Sequence, residues 1–384
     1  MNLSFSEELS MMVDTAQKVV RDEIIEPKLD MAHDHSGEFP HEIYKKLWEQ
    51  GLVQLEFPES IGGAGLSCFE HCAIGEEIAY GCLGVNTSVQ ANSLAAMPLL
   101  IVDNPELNKE FLAPLLEEPI YAAYACSEPD AGSDVAAMST RYRKVGDSYI
   151  LNGLKRWISN GDVATWYTVF AREEGTTGHK GIACFVVNAD QPGVSWDGLV
   201  HKMGQKASHT CDIILEDVEV PASRMLAGPE HGFHLAMKTF DRSRPWISYG
   251  ASGVIRRARD EALQYAMERK TFGQPIIQHQ MVASMIAEME VSYQATRLLM
   301  LNAAQEIDRG NLRGTHSACA KVYGADAAMK VTTDCVQVFG GYGYTDEYIP
   351  EKLMRDAKLL QIYEGTSQIQ KVVIARDLVR HVGS

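Results

Sequence analysis

The sequence predicts a mainly α protein with a central β domain, and three changes of texture along the chain predict it. Apolar residues recur at three- and four-residue spacing up to about residue 118. From about 119 to 228 the period falls to two, with β-branched and aromatic runs. From about 229 onward, long helical stripes return. At 384 residues the chain also exceeds the ~100–200 residues of a usual domain. The expected organisation is a helical domain over 1–118, a β domain over 119–228 and a helical bundle over 229–384.

In the first region LSMMVDTAQKVVRDEII, PHEIYKKLWEQGL and FEHCAIGEEIAY carry the helical spacing, and the turn cluster PESIGGAGLS at 58–67 separates the last two. LAAMPLLIV at 94–102 is too short to span a bilayer and carries Pro98, so it reads as buried helix or loop. In the second region TWYTVFAR (165–172), GIACFVVNAD (181–190) and CDIILEDVEVP (211–221) read as strands. A barrel or sandwich hides the edges of such a sheet. In the third, residues 279–310 place Ile286, Met289, Tyr293, Thr296, Met300 and Ile307 on one stripe, and 317–340 continue with Ala318, Ala325, Thr332 and Phe339. With helices near 232–266 and from 367, a four-helix bundle buries these stripes economically.

Composition bounds the function. The chain is 46% apolar and 22% charged, the balance of an ordinary globular protein. Its net charge of −16 disfavours a nucleic-acid backbone as partner. The eight cysteines form no CxxC pair, and MNLSFSEELS reads as an acidic amphipathic helix start rather than a leader. Reduced thiols and a cytoplasmic, bacterial setting without membrane insertion are expected.

Few motifs speak alone. Cys68, His71 and Cys72 share a helical face, and His33, His35 and His41 cluster, but neither group supplies four zinc ligands, so packing and a solvated loop are expected and no metal. GGAG (62–65) and GGYG (340–343) do not complete a dinucleotide fingerprint, though a glycine pair lets a backbone approach a ligand. YACSEPDAGSD (124–134) puts hydroxyls and backbone N–H groups in a turn, suited either to the polar edge of a flat heterocycle or to a tight interdomain turn. WISNG (157–161) sets an aromatic face beside Ser159, and RKTFG (269–273) sets a guanidinium beside a ring, the pairing that holds a diphosphate. A core Trp and a helix-end Arg are the plainer readings. In QIYEGTSQIQ (361–370), Glu364 suits a helix start, with Ser367 and Gln370 fitting a capping box.

In this order, ERKTFG, QVFGGYG, EKLMRDAK and QIYEGTSQIQ resemble the acyl-CoA dehydrogenase family, closest to its medium-chain members, over essentially the whole chain. The resemblance implies an N-terminal helical domain, a middle β-barrel and a C-terminal four-helix bundle, usually as a homotetramer. It implies bound FAD. Tyr124, Cys126, Ser127, Gly132 and Ser133 match the segment whose hydroxyl touches the flavin, and Trp157, Ile158 and Ser159 the segment flanking its ring. Arg269, Thr271, Phe272, His279 and Gln280 match residues reaching the diphosphate and adenosine end. Gln337, Val338, Gly340 and Gly341 match a loop that meets the cofactor across a subunit boundary, and Thr366 and Gln368 complete the shell. Ser133, Asp241, Arg244, Gly365 and Arg376 match contacts to the acyl-CoA substrate. Glu364 aligns with the catalytic base, which removes the proton beside the thioester carbonyl while hydride passes to the flavin.

The chain departs from the family pattern in places. Ser127 and Ser159 replace threonines but keep the hydroxyl, and Asp130 replaces a glycine. Some relatives place the base on the helix holding FDRSRPW, where this chain has Ser243. Gln90 stands where medium-chain relatives carry an acid, and the bulky Trp246 and Tyr249 replace smaller residues. Facing the pocket, either ring would shorten the acyl tunnel, so the expected substrate is a short- to medium-chain, branched or aromatic-tailed acyl-CoA. The expected acceptor is an electron-transferring flavoprotein. Oxygen, as in an oxidase, is the alternative, and a nucleic-acid-binding member of the fold is the non-enzymatic one.

Overall fold

The computed structural model describes residues 3–311 and 313–382, with side chains to 380. Helices open the chain: α1 (Glu7–Val20), α2 (Leu29–Ser36), α3 (His41–Glu49), α4 (Cys68–Gly81), α5 (Leu83–Val102) and the short α6 (Pro105–Leu107) and α7 (Ala113–Glu117). A Ser67–Glu70 capping box starts α4, tying two otherwise free helix N–H groups. LAAMPLLIV lies in α5, buried at Met97, Pro98 and Leu99. Cys68 and Cys72 pack in the core, while His33 and His35 lie on α2 rather than in a loop.

The strands follow: β1 (Tyr121–Ala125), β2 (Arg141–Val145), β3 (Ser148–Ser159), β4 (Ala164–Glu173), β5 (Ile182–Asn188), β6 (Val194–Asp197), β7 (Thr210–Pro221) and β8 (Met225–Ala227). They form one sheet in the order β6-β7-β3-β2-β4-β5-β8, with β1 also pairing with β4. The sheet curls around its own core. Tyr142, Leu151, Val169, Phe185, Ile213 and Val218 from five strands pack together inside it. Among the described residues no ladder joins β6 to β8, so the barrel is closed by packing rather than by hydrogen bonds.

The last region holds α8 (Gly232–Glu268), the hairpin β9 (Lys270–Thr271) and β10 (Gln274–Pro275), α9 (Gln280–Asp308), α10 (Gly314–Phe339), α11 (Ile349–Leu360) and α12 (Ser367–Val382). The stripe on α9 is buried as expected at Ile286, Met289, Thr296 and Met300. The bundle differs from a simple set of four. Helix α10 sits at its centre, touching α8, α9, α11 and α12, while α4 packs on α8 and α9. Helix α11 is an addition to the expected set. No described helix is long and apolar enough to cross a membrane.

Candidate active site

The turn between α11 and α12 carries Glu364 in a left-handed conformation, φ 54°, followed by Gly365 at φ 83°. A side chain with φ above zero costs ~1–3 kcal/mol unless its surroundings impose it. Here they do. Gln370 Nε2 donates to the carbonyls of Glu364 (3.1 Å) and Gly365 (3.0 Å). The buried Lys321 Nζ, from α10, donates to the Gly365 carbonyl at 2.6 Å. Ser243 Oγ, from α8, donates to Glu364 Oε2 at 2.6 Å. Gly365 is required locally, because a Cβ there would lie 2.5 Å from Gln370 Nε2.

The expected capping box is shifted by one residue. Thr366 Oγ1, not Ser367, accepts from a first-turn amide, that of Ile369 (3.2 Å). Ser367 Oγ instead donates to Asp326 (3.1 Å). Gln370 turns back to the two carbonyls because the preceding turn leaves them without backbone partners.

Glu364 is ringed by protein yet keeps a solvent opening, as a carboxylate at the bottom of a cleft does. Desolvation pushes its pKa above the usual carboxylate value, while Ser243, Arg244 and Lys321 pull it back. Arg244 is itself buried and ion-paired with Asp241, which burial pushes up and Arg244 restrains. The C-terminal end of β1 faces the same carboxylate. Burial raises the Tyr124 phenol and the Cys126 thiol, and the charge of Glu364 adds to both. Phe240 on α8 packs edge-on to Tyr124, 5.8 Å between ring centres.

Behind β1 lies a buried ion pair. Lys155 Nζ donates to Glu128 Oε1 (2.8 Å) and to the Cys126 carbonyl (3.1 Å). Glu128 also accepts from the Thr140 amide (3.0 Å) and the Ser139 hydroxyl (2.6 Å). Burial opposes its charge, but Lys155 and these donors together hold its pKa down to about 2. The Arg156 amide donates to the Ser127 carbonyl at 2.9 Å, joining the Ser127 turn to β3. A bulge in β3 between Lys155 and Ile158 then aims Trp157 outward, at φ 64° and 53% exposed. Ile158 points into the core and Ser159 is half-buried.

A second cluster forms elsewhere. Arg269, Thr271, His279, Val338, Gly340 and Gly341 line one cleft of about 520 Å³ between the β9–β10 hairpin and the end of α10. His279 is held on both nitrogens, by Thr271 Oγ1 (3.0 Å) and Gln274 Nε2 (3.3 Å). The hairpin turn puts Phe272 at φ 51° and 98% exposed. Gln280 and Gln337 are exposed near this cleft. Arg269 caps the C-terminus of α8, twenty-five residues after Arg244, which is about 38 Å along a helix. Gly132 and Ser133 lie on an exposed turn, and Gln368 and Arg376 are exposed on α12.

The structure thus brings Glu364 and the end of β1 together, and the sequence motifs give no sign of the side chains that hold the carboxylate. Ser243 had been informative only as the absence of an acid. Lys321 gave one usable signal: it sits among Ala318, Ala320, Gly324 and Ala325, small residues that mark a helix packed closely on more than one side.

Comparison with known proteins fits this geometry. Models of the acyl-CoA dehydrogenase N-terminal, middle and C-terminal domains match residues 6–119, 123–218 and 230–379. The chain is 39% identical over 376 residues to a cyclohexane-1-carbonyl-CoA dehydrogenase of Geobacter metallireducens, covering 98% of each. It superposes on butyryl-CoA dehydrogenase from Megasphaera elsdenii with a TM-score of 0.96 at 33% identity, covering 99% of this chain and 100% of that one. It matches equally, at 0.96 and 36% identity over 99% and 100%, a chain from work on the electron transferring flavoprotein of Acidaminococcus fermentans and flavin-based electron bifurcation. Fold and site define a flavoprotein oxidoreductase. The chain belongs to the acyl-CoA dehydrogenase family.

One prediction concerns the pair beneath the site. Lys155→Met should cost ~3–5 kcal/mol in chemical denaturation by stranding a buried carboxylate. Adding Glu128→Gln should recover part of the loss. Because the folded Glu128 pKa is depressed, the wild-type pair stabilises above the unfolded value of ~4.3 and loses that contribution as pH falls toward 2. The double variant should show a flatter stability profile there.

Proposed function

We propose that the chain catalyses α,β-dehydrogenation of a short, bulky acyl-CoA to its trans-2-enoyl-CoA, with Glu364 as the base. One observation carries this: a desolvated carboxylate, held by Ser243 through one oxygen, has no hydrogen bond on Oε1 among the described residues. Substrate entry displaces the remaining water, which disfavours the charged form further and strengthens the base. The Glu364 backbone N–H meets no protein acceptor among the described residues, so it is free to donate to the thioester carbonyl as negative charge develops there. Asp241, Arg244 and Arg376 would contact the CoA portion, as the family resemblance implies.

The residues fit FAD. Gly132 and Gly341 have open space where a Cβ would stand, so the backbone there would admit a close ligand. The buried Tyr124 hydroxyl finds no partner better than the Cys126 thiol. Ser127, Ser159 and the exposed face of Trp157 would hold the flavin ring beside Glu364. FAD supplies the hydride acceptor for the β-carbon. Arg269, Thr271, Phe272 and the 337–341 loop would hold a diphosphate and adenosine end, yet they lie too far along α8 to serve the flavin at the same chain's Glu364. Each site is then shared by two copies in a homo-oligomer, a tetramer by family resemblance. Electrons pass on to an electron-transferring flavoprotein in a bacterial cytoplasm; the Acidaminococcus relationship supports that partner.

Substrate size follows from α8. Tyr249 and Trp246 are fully buried, and Tyr249 faces Tyr363, the neighbour of Glu364. Its ring fills the space of the missing Cβ at Gly75, 2.4 Å from where that atom would lie. Trp246 donates to Glu56 (3.1 Å) and its carbonyl accepts from Gln90 (2.9 Å). Bordering the acyl pocket, such fixed rings would favour a short, wide acyl group. The cyclohexane-1-carbonyl-CoA activity named for the Geobacter relative agrees with that shape.

Three outcomes are expected. Anaerobic titration of the yellow holoenzyme with short branched or cyclic acyl-CoAs should bleach it; Glu364→Gln should keep the colour and lose the bleaching, and bleaching retained would place the base elsewhere. Tyr249→Ala should move the kcat/KM optimum across an acyl-chain series toward longer chains by about tenfold; an unmoved optimum, or a wild-type optimum at sixteen carbons, would refute the size argument. Co-expressing Arg269→Ala with Glu364→Gln subunits should restore activity that neither has alone, since one mixed site in such a pair escapes both changes.

A further inference from the structure

We propose that Ser243 on α8 and Lys321 on α10 are positioning residues for Glu364: the serine hydroxyl aims the carboxylate, and the lysine ammonium pins the turn that carries it and stabilises its charge. This rests on Glu364 being the base, and goes beyond it by assigning what keeps that base usable. The geometry is specific. Ser243 Oγ reaches Oε2 at 2.6 Å, and Lys321 Nζ reaches the next carbonyl, that of Gly365, at 2.6 Å. Ser243 is 1% exposed and Lys321 is fully buried. A buried ammonium is costly unless an anion or carbonyl compensates it. The groups facing Lys321 are Glu364, Asp326 and Arg244, so Glu364 is one of two carboxylates that offset its burial.

Every element around Glu364 bears on its charge. From α8 come Ser243 and Arg244, the latter tied to Asp241. From α10 comes Lys321. From β1 and the residue after it come the Tyr124 phenol and Cys126 thiol, both neutral and raised by burial. From the turn itself comes Tyr363, also raised. Only Ser243, Arg244 and Lys321 favour the anion; burial opposes it. Arg244 is engaged by Asp241, which leaves Ser243 and Lys321 as the adjustable pair.

The direction of the pH effect follows. Glu364 works as a base only when ionised, so activity falls as pH drops through its pKa. Removing either group that favours the anion lets the pKa climb and moves the acid limb of kcat/KM to higher pH. Ser243→Ala should lower kcat about ten- to a hundredfold with little change in KM, as loss of a hydrogen bond to a charged group does. Its acid limb should rise by about one unit. Ser243→Thr, which keeps the hydroxyl, should restore both. Lys321→Met should move the limb in the same sense. Lys321→Gln keeps a donor for the Gly365 carbonyl without the charge, and should recover kcat in part while the limb stays displaced.

Melting temperature and flavin content of each variant separate these effects from misfolding. A Ser243→Ala enzyme with wild-type kcat and acid limb overturns the serine assignment. Lys321 variants that lose only melting temperature, or that do not fold, make Lys321 a stability residue and overturn its part. Should Glu364→Gln still exchange the substrate α-proton for deuterium, the base reading itself fails; should it be inert while Ser243→Ala matches wild type, only this inference fails.

Discussion

On the proposed reading the site depends on one constraint: a carboxylate has to be dry enough to take a proton from carbon and still carry charge before it does so. Full desolvation would neutralise it, and full hydration would leave it too weak a base. The chain resolves the conflict at Glu364 by letting burial raise the pKa while one hydroxyl and two cations oppose the rise. The left-handed turn serves the same end. It frees the Glu364 N–H, presents the side chain between α8 and α10, and costs conformational strain that Gln370 and Lys321 offset by binding the adjacent carbonyls.

The bundle, which is not a plain four-helix arrangement, gives that constraint its geometry. Helix α10 lies at its centre, so a residue on α10 can reach the turn from below while α8 reaches it from the side. A lysine on such a helix has no solvent to escape to. Its cost is borne because the carbonyl and carboxylate it meets are the ones that need a positive group. Helix α11 sets the height of the turn, and Gln361 Nε2 donates to Asp326 (2.7 Å), the acid that also accepts from Ser367, so both ends of the turn are tied to α10.

Much of this was legible in the sequence, and what was not had a physical reason. The change of period from 3.6 to 2 and back marked the helix–sheet–helix order, because apolar spacing reports burial directly. The strands at 165–172, 181–190 and 211–221 were readable since both β-branching and flanking turns agree there. Strand β1, YAAYA, was legible only as the strand that the YACSEPDAGSD turn follows, because alanine carries little strand signal and its burial comes from α5 lying across it. Glu364 was ambiguous locally, since an acid before a helix has an ordinary capping use; only the motifs around it gave it chemistry. The capping register was misread for a reason visible in the structure: Asp326, forty-one residues distant, captures the Ser367 hydroxyl and leaves Thr366 to cap. Long-range hydrogen bonds of this kind leave no local pattern.

Glu364's partners and the two large rings sit on different faces of the same elements, so on the proposed reading the acyl group can vary without the reaction varying. On α8, Ser243 and Arg244 face the turn, while Trp246 and Tyr249, a turn further on, face α4 and α5. The rings are locked by groups that take no part at Glu364: Glu56 holds both the Trp246 indole and His71 (2.8 Å), and Tyr249 lies against His71 and in the gap at Gly75. A helix-interior glycine costs ~0.5–1 kcal/mol relative to alanine, and here the loss makes room for an aromatic ring. Rings anchored on α4 in this way are held independently of Ser243, which keeps its grip on Glu364.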